Sequence, residues 1–139
     1  MKKIFVTSLF LLGLGLAPLM VRASGDGKQF DPEDAEAIRR ACLDYVEGFY
    51  DSDAERIKKG VHPDLAKRSI APGEILSNMN RNALINAAVS NIWKKPAINV
   101  EIFDINGPIA SAKITSDYID YVQLAKLKGE WQIVNVLWR

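Results

Sequence analysis

From Asp117 to Trp138 the chain reads as two long strands joined by a tight turn at Lys128-Gly129. Aromatic and β-branched residues dominate both, and the second carries Trp131, Ile133, Val134, Val136 and Trp138. Such residues fit a pleated, half-buried surface. A small domain with this hairpin must cover one face of it with other elements, so the rest of the chain has to supply a layer.

The sequence has 139 residues, which sets a prior of one domain. Part of its hydrophobicity lies at the start. Lys2 and Lys3 are followed by a mostly apolar run, Ile4 to Met20, and then by Val21-Arg22-Ala23. That is the three-part layout of a secretory signal, with small residues where a peptidase cuts. The run is 17 residues long and holds Pro18, short of the roughly 20 apolar residues that span a bilayer. We therefore expect a signal peptide over residues 1–23 cleaved after Ala23, rather than a retained anchor, and a periplasmic or secreted product. Cleavage leaves residues 24–139. Losing Lys2, Lys3 and Arg22 takes the net charge from +1 to −2. No clustered basic footprint for nucleic acid is visible, and no membrane association is expected after cleavage. Cys42 is the one cysteine, so no internal disulfide is possible. It falls on an apolar helix face and reads as a small buried hydrophobe.

Residues 24–30 are small and polar and read as a flexible lead-in to a domain spanning 31–139. Asp31 can cap a helix, Pro32 suits its first position, and Glu33 and Asp34 favour its positive end. Ala35, Ile38, Ala41, Cys42, Tyr45, Val46 and Phe49 follow at helical spacing. Gly48, inside that helix, suggests close approach by another element. Asp53 can cap a short helix, Ala54 to Gly60, which His62-Pro63 is expected to stop. Short strands are expected on either side of Pro72-Gly73, then a helix from Arg81 to about Asn91 capped by Asn80. The second half switches to period two. One strand includes Ile98 to Ile102, a turn falls at Asn106-Gly107-Pro108, a long strand region runs from Ile109 to Leu127, and the last strand is Glu130 to Trp138. The expected fold is α+β, with N-terminal helices on one face of an antiparallel three-strand meander.

The segment Tyr45-Val46-Glu47-Gly48-Phe49-Tyr50 with Asp53, then Val61-His62-Pro63-Asp64-Leu65-Ala66-Lys67-Arg68, form one part of a pattern. Asp120-Tyr121, Leu124-Ala125-Lys126, Gly129, Trp131 and Ile133 to Trp138 form the other. In this order they resemble the nuclear-transport-factor-2-like fold, and most closely the exported bacterial branch called the putative lumazine-binding family. The chain departs from the pattern at Gln123, where a histidine would be expected. The resemblance implies a cone-shaped domain in which a strongly curved antiparallel sheet and the first helix enclose a pocket open at one end. It also implies a homodimer through the outer sheet face. The fold hosts isomerases, dehydratases, hydrolases and pure binding domains, so it does not fix the activity.

Several residues could carry chemistry. His62, the one histidine, is a candidate general base, or a ring that bonds nearby backbone. Lys67 and Arg68 could hold a carboxylate or phosphate, or face solvent. Asp120 with Tyr118 could act as base and oxyanion donor; the alternative is an aspartate at a strand bend beside core aromatics. Strand parity puts Tyr118 and Asp120 on one face and Asp117 and Tyr121 on the other. It also puts Asn135 with Trp131, Ile133 and Leu137. Tyr45, Phe49 and Tyr50 would line the cavity from the helix. No metal-ligand spacing occurs and no cofactor is expected.

We expect an exported, noncatalytic binder of an unknown small, partly apolar molecule. Walls would come from Tyr45, Phe49, Tyr50, Trp131 and Trp138, and polar contacts from His62, Lys67, Asp120 and Asn135. One alternative is a cofactor-independent isomerase, dehydratase or hydrolase using Asp120 or His62 with a tyrosine. The other is a dimerising protein-interaction module.

Overall fold

A computed structural model describes residues 29–139. The expected signal peptide and residues 24–28 of the expected lead-in lie outside the described residues. Three helices pack on a six-stranded sheet: α1 (Pro32–Tyr50), α2 (Ala54–Gly60), β1 (Val61–Ala71), β2 (Ile75–Met79), α3 (Arg81–Val89), β3 (Asn99–Asn106), β4 (Ile109–Thr115), β5 (Ile119–Leu127) and β6 (Glu130–Trp138). The strand order is β2-β1-β6-β5-β4-β3, and the sheet curls without closing.

Local chemistry sets the helix starts. The Asp31 carboxylate accepts from the N–H groups of Glu33 and Asp34, Asp53 accepts from Arg56, and Asn80 accepts from Ala83. Each satisfies donors that have no partner inside the helix. In α1 the inward residues Ile38, Cys42, Tyr45 and Val46 are all buried, facing Ile114, Val122, Leu124, Ile133 and Val136 of the sheet. Burying each large aliphatic side chain stabilises the domain by about 1.5–3 kcal/mol. Burial also pushes the Cys42 thiol up to about 12, so it stays protonated and inert.

Two glycines let α2 lie against α1. A Cβ on Gly48 would sit 3.0 Å from the Ile57 nitrogen. One on Gly60 would sit 2.4 Å from the Ala41 carbonyl oxygen. Arg56 fixes the same junction by pairing with Asp44, Glu47 and Asp51 of the α1 end.

The sheet corrects three expectations. First, it is mixed: β1 runs parallel to β6, and every other neighbouring pair is antiparallel. Second, α2 ends at Gly60 as expected, but His62 and Pro63 lie in a strand and not in a loop: the helix passes directly into β1, whose register against β6 slips between Val61 and Ala66. The proline falls in that irregularity, where no regular ladder bond is needed from it. Third, the stretch from Ile109 to Leu127 is two strands. Ser116, Asp117 and Tyr118 form a reversal held by Ser116 N–H on the Tyr118 carbonyl at 2.8 Å and Tyr118 N–H on the Ser116 hydroxyl at 3.2 Å. Short polar side chains that bond local backbone favour such turns. The meander therefore has four strands. Its last hairpin has Lys128 and Gly129 both at positive φ, 52° and 86°, as a type I′ turn requires.

Candidate functional site

A cavity of about 210 Å³ opens between α1, α3 and the concave sheet face. Tyr45, Phe49 and Tyr50 enter it from α1, Lys67 from β1, Met79 from β2, and Leu84 and Ala87 from α3. Asp120 comes from β5, Trp138 from β6, and Ser116 and Tyr118 from the reversal between β4 and β5. Trp93, in the segment after α3, completes the aromatic wall.

The rings brace one another. Phe49 lies 4.8 Å from Trp93 and 5.7 Å from Tyr50, the latter edge to face. Tyr118 meets Trp138 edge to face at 5.2 Å. Such pairs contribute about 0.5–1.5 kcal/mol beyond the area they bury. The Trp93 indole N–H donates to the Ala88 carbonyl at 3.1 Å, which ties the loop back to α3. The Tyr50 hydroxyl donates to Ser116 Oγ at 3.4 Å, linking α1 to the reversal.

One polar cluster interrupts this wall. Lys67 Nζ donates to Asp120 Oδ1 and to the Tyr45 hydroxyl, both at 2.8 Å. The Tyr45 hydroxyl donates to the same Asp120 oxygen at 3.4 Å. Lys67 Nζ also lies 4.6 Å from the centre of the Trp138 ring. The Lys67 and Asp120 side chains are 8% and 5% exposed, so the pair is held away from water. Burial lowers the Lys67 pKa, and the Asp120 charge and hydrogen bond oppose that fall. Burial first, then the Asp120 charge, raises Tyr45 well above the usual phenol range, so its hydroxyl remains a donor. The cavity thus offers a flat apolar surface with an ammonium, a carboxylate and a neutral phenol on one wall.

Seven sequence candidates meet here: Tyr45, Phe49, Tyr50, Lys67, Tyr118, Asp120 and Trp138. Four do not line this cavity. His62 lies in the irregular start of β1, where its Nδ1 accepts the Asp64 N–H at 3.2 Å. Trp131 is buried, but its indole N–H donates to Asp34 Oδ1 at 2.8 Å, at the first turn of α1. Asn135 is on the outer face, donating to Gln123 Oε1 at 3.0 Å. The parity argument failed for Asn135 because Ile133 pairs with Leu124 and Asn135 with Gln123, leaving Val134 as an extra residue. That bulge reverses the alternation. Val136 turns inward with Trp131 and Ile133, while Leu137 turns outward with Asn135. Arg68 neighbours Lys67 in the strand and is exposed, so the basic pair is split between faces.

Met79, Leu84, Ala87, Trp93 and Ser116 were missed as lining residues. Trp93 had a signal, a tryptophan next to Ile92 just before Lys94-Lys95-Pro96, but nothing local shows that it folds back onto Phe49. Among the described residues, no group of three or more His, Cys, Asp or Glu side chains is placed to hold a metal ion.

The family model described as "Putative lumazine-binding" matches residues 33–139, so the chain belongs to that family. Its fold is nuclear-transport-factor-2-like. A structure of an NTF2-like protein from Shewanella baltica superposes with a TM-score of 0.70 at 20% identity, covering 81% of this chain and 97% of that one. A ketosteroid isomerase-like protein from Erwinia carotovora superposes with a TM-score of 0.58 at 16% identity, covering 78% and 96%. The aldolase FrzH of Cladobotryum sp is 24% identical over 115 residues, covering 78% of this chain and 92% of that protein.

Proposed function

We propose that this protein is exported and binds a small, flat, partly apolar molecule in the cavity between α1, α3 and the sheet, without turning it over. The observation that carries this is the cavity lining: an aromatic wall interrupted by the buried Lys67–Asp120–Tyr45 cluster. Mostly apolar walls with a few fixed polar groups are the usual form of a small-molecule site. The noncatalytic reading rests on the state of Asp120, whose Oδ1 is already engaged by an ammonium and a phenol. Export rests on the leader-like first 23 residues. An N-terminus at Ser24 on the protein recovered from cells would support it.

The test is a thermal-shift screen of the purified protein against aromatic and heteroaromatic compounds. A ligand at a hundred times its Kd stabilises the folded state by about 2.7 kcal/mol. Stabilisers should emerge, and Trp138→Ala should abolish their effect. A screen in which the same compounds shift wild type and Trp138→Ala equally would place binding elsewhere.

A second reading has a specific observation behind it. Asp120, Tyr45 and Tyr118 line one cavity, as an isomerase or dehydratase would need. The ketosteroid isomerase-like protein, which shares the fold, has a name that fits such chemistry. Turnover of a stabilising compound, lost in Asp120→Asn, would favour this reading over pure binding.

A further inference from the structure

Lys67 supplies the cavity with a primary amine, and a simple binding role does not explain why it is lysine. A buried partner for one carboxylate would be served better by arginine, which carries more donors and does not give up its proton. Lysine differs in that its ammonium can become a nucleophile, and burial eases that change. Here the groups that condensation needs are already in place. Asp120 Oδ1, 2.8 Å from Nζ, can take the proton. The Tyr45 hydroxyl, also 2.8 Å from Nζ, can bond a developing alkoxide. The Trp138 face, 4.6 Å away, can stabilise a cation at the nitrogen.

We propose that Lys67 condenses reversibly with the carbonyl carbon of an aromatic aldehyde or ketone bound in the cavity. The ammonium first gives a proton to Asp120. The free amine's lone pair then forms the C–N bond as the C=O π electrons move to oxygen. A second nitrogen proton passes to that oxygen, giving a neutral carbinolamine. Asp120 returns its proton to the hydroxyl, the C–O bond breaks, and water leaves. The product is an iminium cation. One ammonium and one carbonyl become one iminium and one water, and Asp120 ends as it began. Charge is conserved at the nitrogen, so the buried pairing with Asp120 and the contact with Trp138 both survive the reaction. Aromatic walls from Phe49, Tyr118 and Trp138 suit a flat conjugated carbonyl compound. This inference rests on the binding reading above and narrows its ligand class.

The test is reductive trapping. The purified protein is treated with benzaldehyde and cyanoborohydride, and the benzylated lysines are located by peptide mass mapping. Held against a preorganised site, Lys67 should label about tenfold faster than exposed lysines such as Lys58 and Lys95. Benzyl alcohol, which has no carbonyl, should slow labelling at Lys67 and leave the exposed lysines unchanged. Lys67→Arg should lose the fast site, and the benzyl alcohol competition gives the same information in wild type if that variant does not fold. Labelling of Lys67 no faster than the exposed lysines overturns the proposal. If benzyl alcohol still raises Tm in that case, the binding reading stands and only the condensation falls. If benzyl alcohol also leaves Tm unchanged, both fall.

Discussion

At the scale of single residues, the Lys67–Asp120 pair sets the balance between stability and function. Two ions held away from water cost several kcal/mol each to desolvate, and their attraction repays this only with good geometry. Here the geometry includes a third partner, Tyr45, and an aromatic face. Removing one member alone leaves a bare charge inside. Lys67→Met should therefore destabilise the domain by about 3–5 kcal/mol in urea unfolding. The double variant Lys67→Met, Asp120→Leu should recover most of that loss, because it leaves no charge behind. If the double variant were as unstable as the single one, the pair would be contributing through packing and not charge. Both Lys67 and Asp120 were visible as candidates in the sequence. Their pairing was not, because 53 residues separate them and β1 meets β5 only through β6.

At the scale of elements, irregularities decide which side chains reach the cavity. Val134 is the extra residue that turns Val136 and Trp138 inward. Deleting it would remove the bulge and leave simple alternation, with Ile133 and Val136 inward, Asn135 outward, and Ile133 and Asn135 still opposite Leu124 and Gln123. The deletion should therefore still give soluble folded protein, and Val134→Ala should shift Tm by only a few degrees. Loss of the folded circular dichroism signal in the deletion would show that the bulge is needed for more than side-chain direction. Farther along, Asp34 joins the first turn of α1 to the sheet, accepting from Lys126 Nζ at 2.7 Å and from the Trp131 indole at 2.8 Å. The Lys126 and Trp131 hydrogen bonds lower its pKa below the usual 3.8. The folded state therefore holds this proton less tightly than the unfolded chain does. The resulting stability is fully present above the ordinary carboxylate value and is lost as pH falls through the lowered one. In Tm measurements below pH about 4, wild type should fall more steeply than Asp34→Asn. Equal slopes would mean that Asp34 does not titrate differently on folding.

At the scale of the whole molecule, the two faces of the sheet differ in what covers them. The helices cover the concave face. On the outer face Ile70, Ile119, Tyr121 and Leu137 border one open depression and are 44–70% exposed. Contiguous exposed apolar patches serve as association sites when they are large enough. The expected homodimer would use this surface. Sedimentation at micromolar concentration should give twice the monomer mass, and Leu137→Glu should return it to the monomer. A monomeric wild type would remove dimerisation from the account.

The sequence by itself determined what depends on neighbours along the chain. Caps at Asp31, Asp53 and Asn80, the apolar stripe of α1, and the turns at Gly107 and Gly129 all follow from spacings of a few residues, and all are present. These were enough to define the layers and the α+β class. The tertiary structure decided what depends on register. The parallel β1–β6 contact, the Val134 bulge and the fold-back of Trp93 onto Phe49 are long-range choices among alternatives of similar local energy. Side-chain direction in a strand has a period of two, so one extra residue changes every assignment beyond it. That is why Asn135 was misplaced, while Tyr45 and Phe49, fixed by a regular helix, were found.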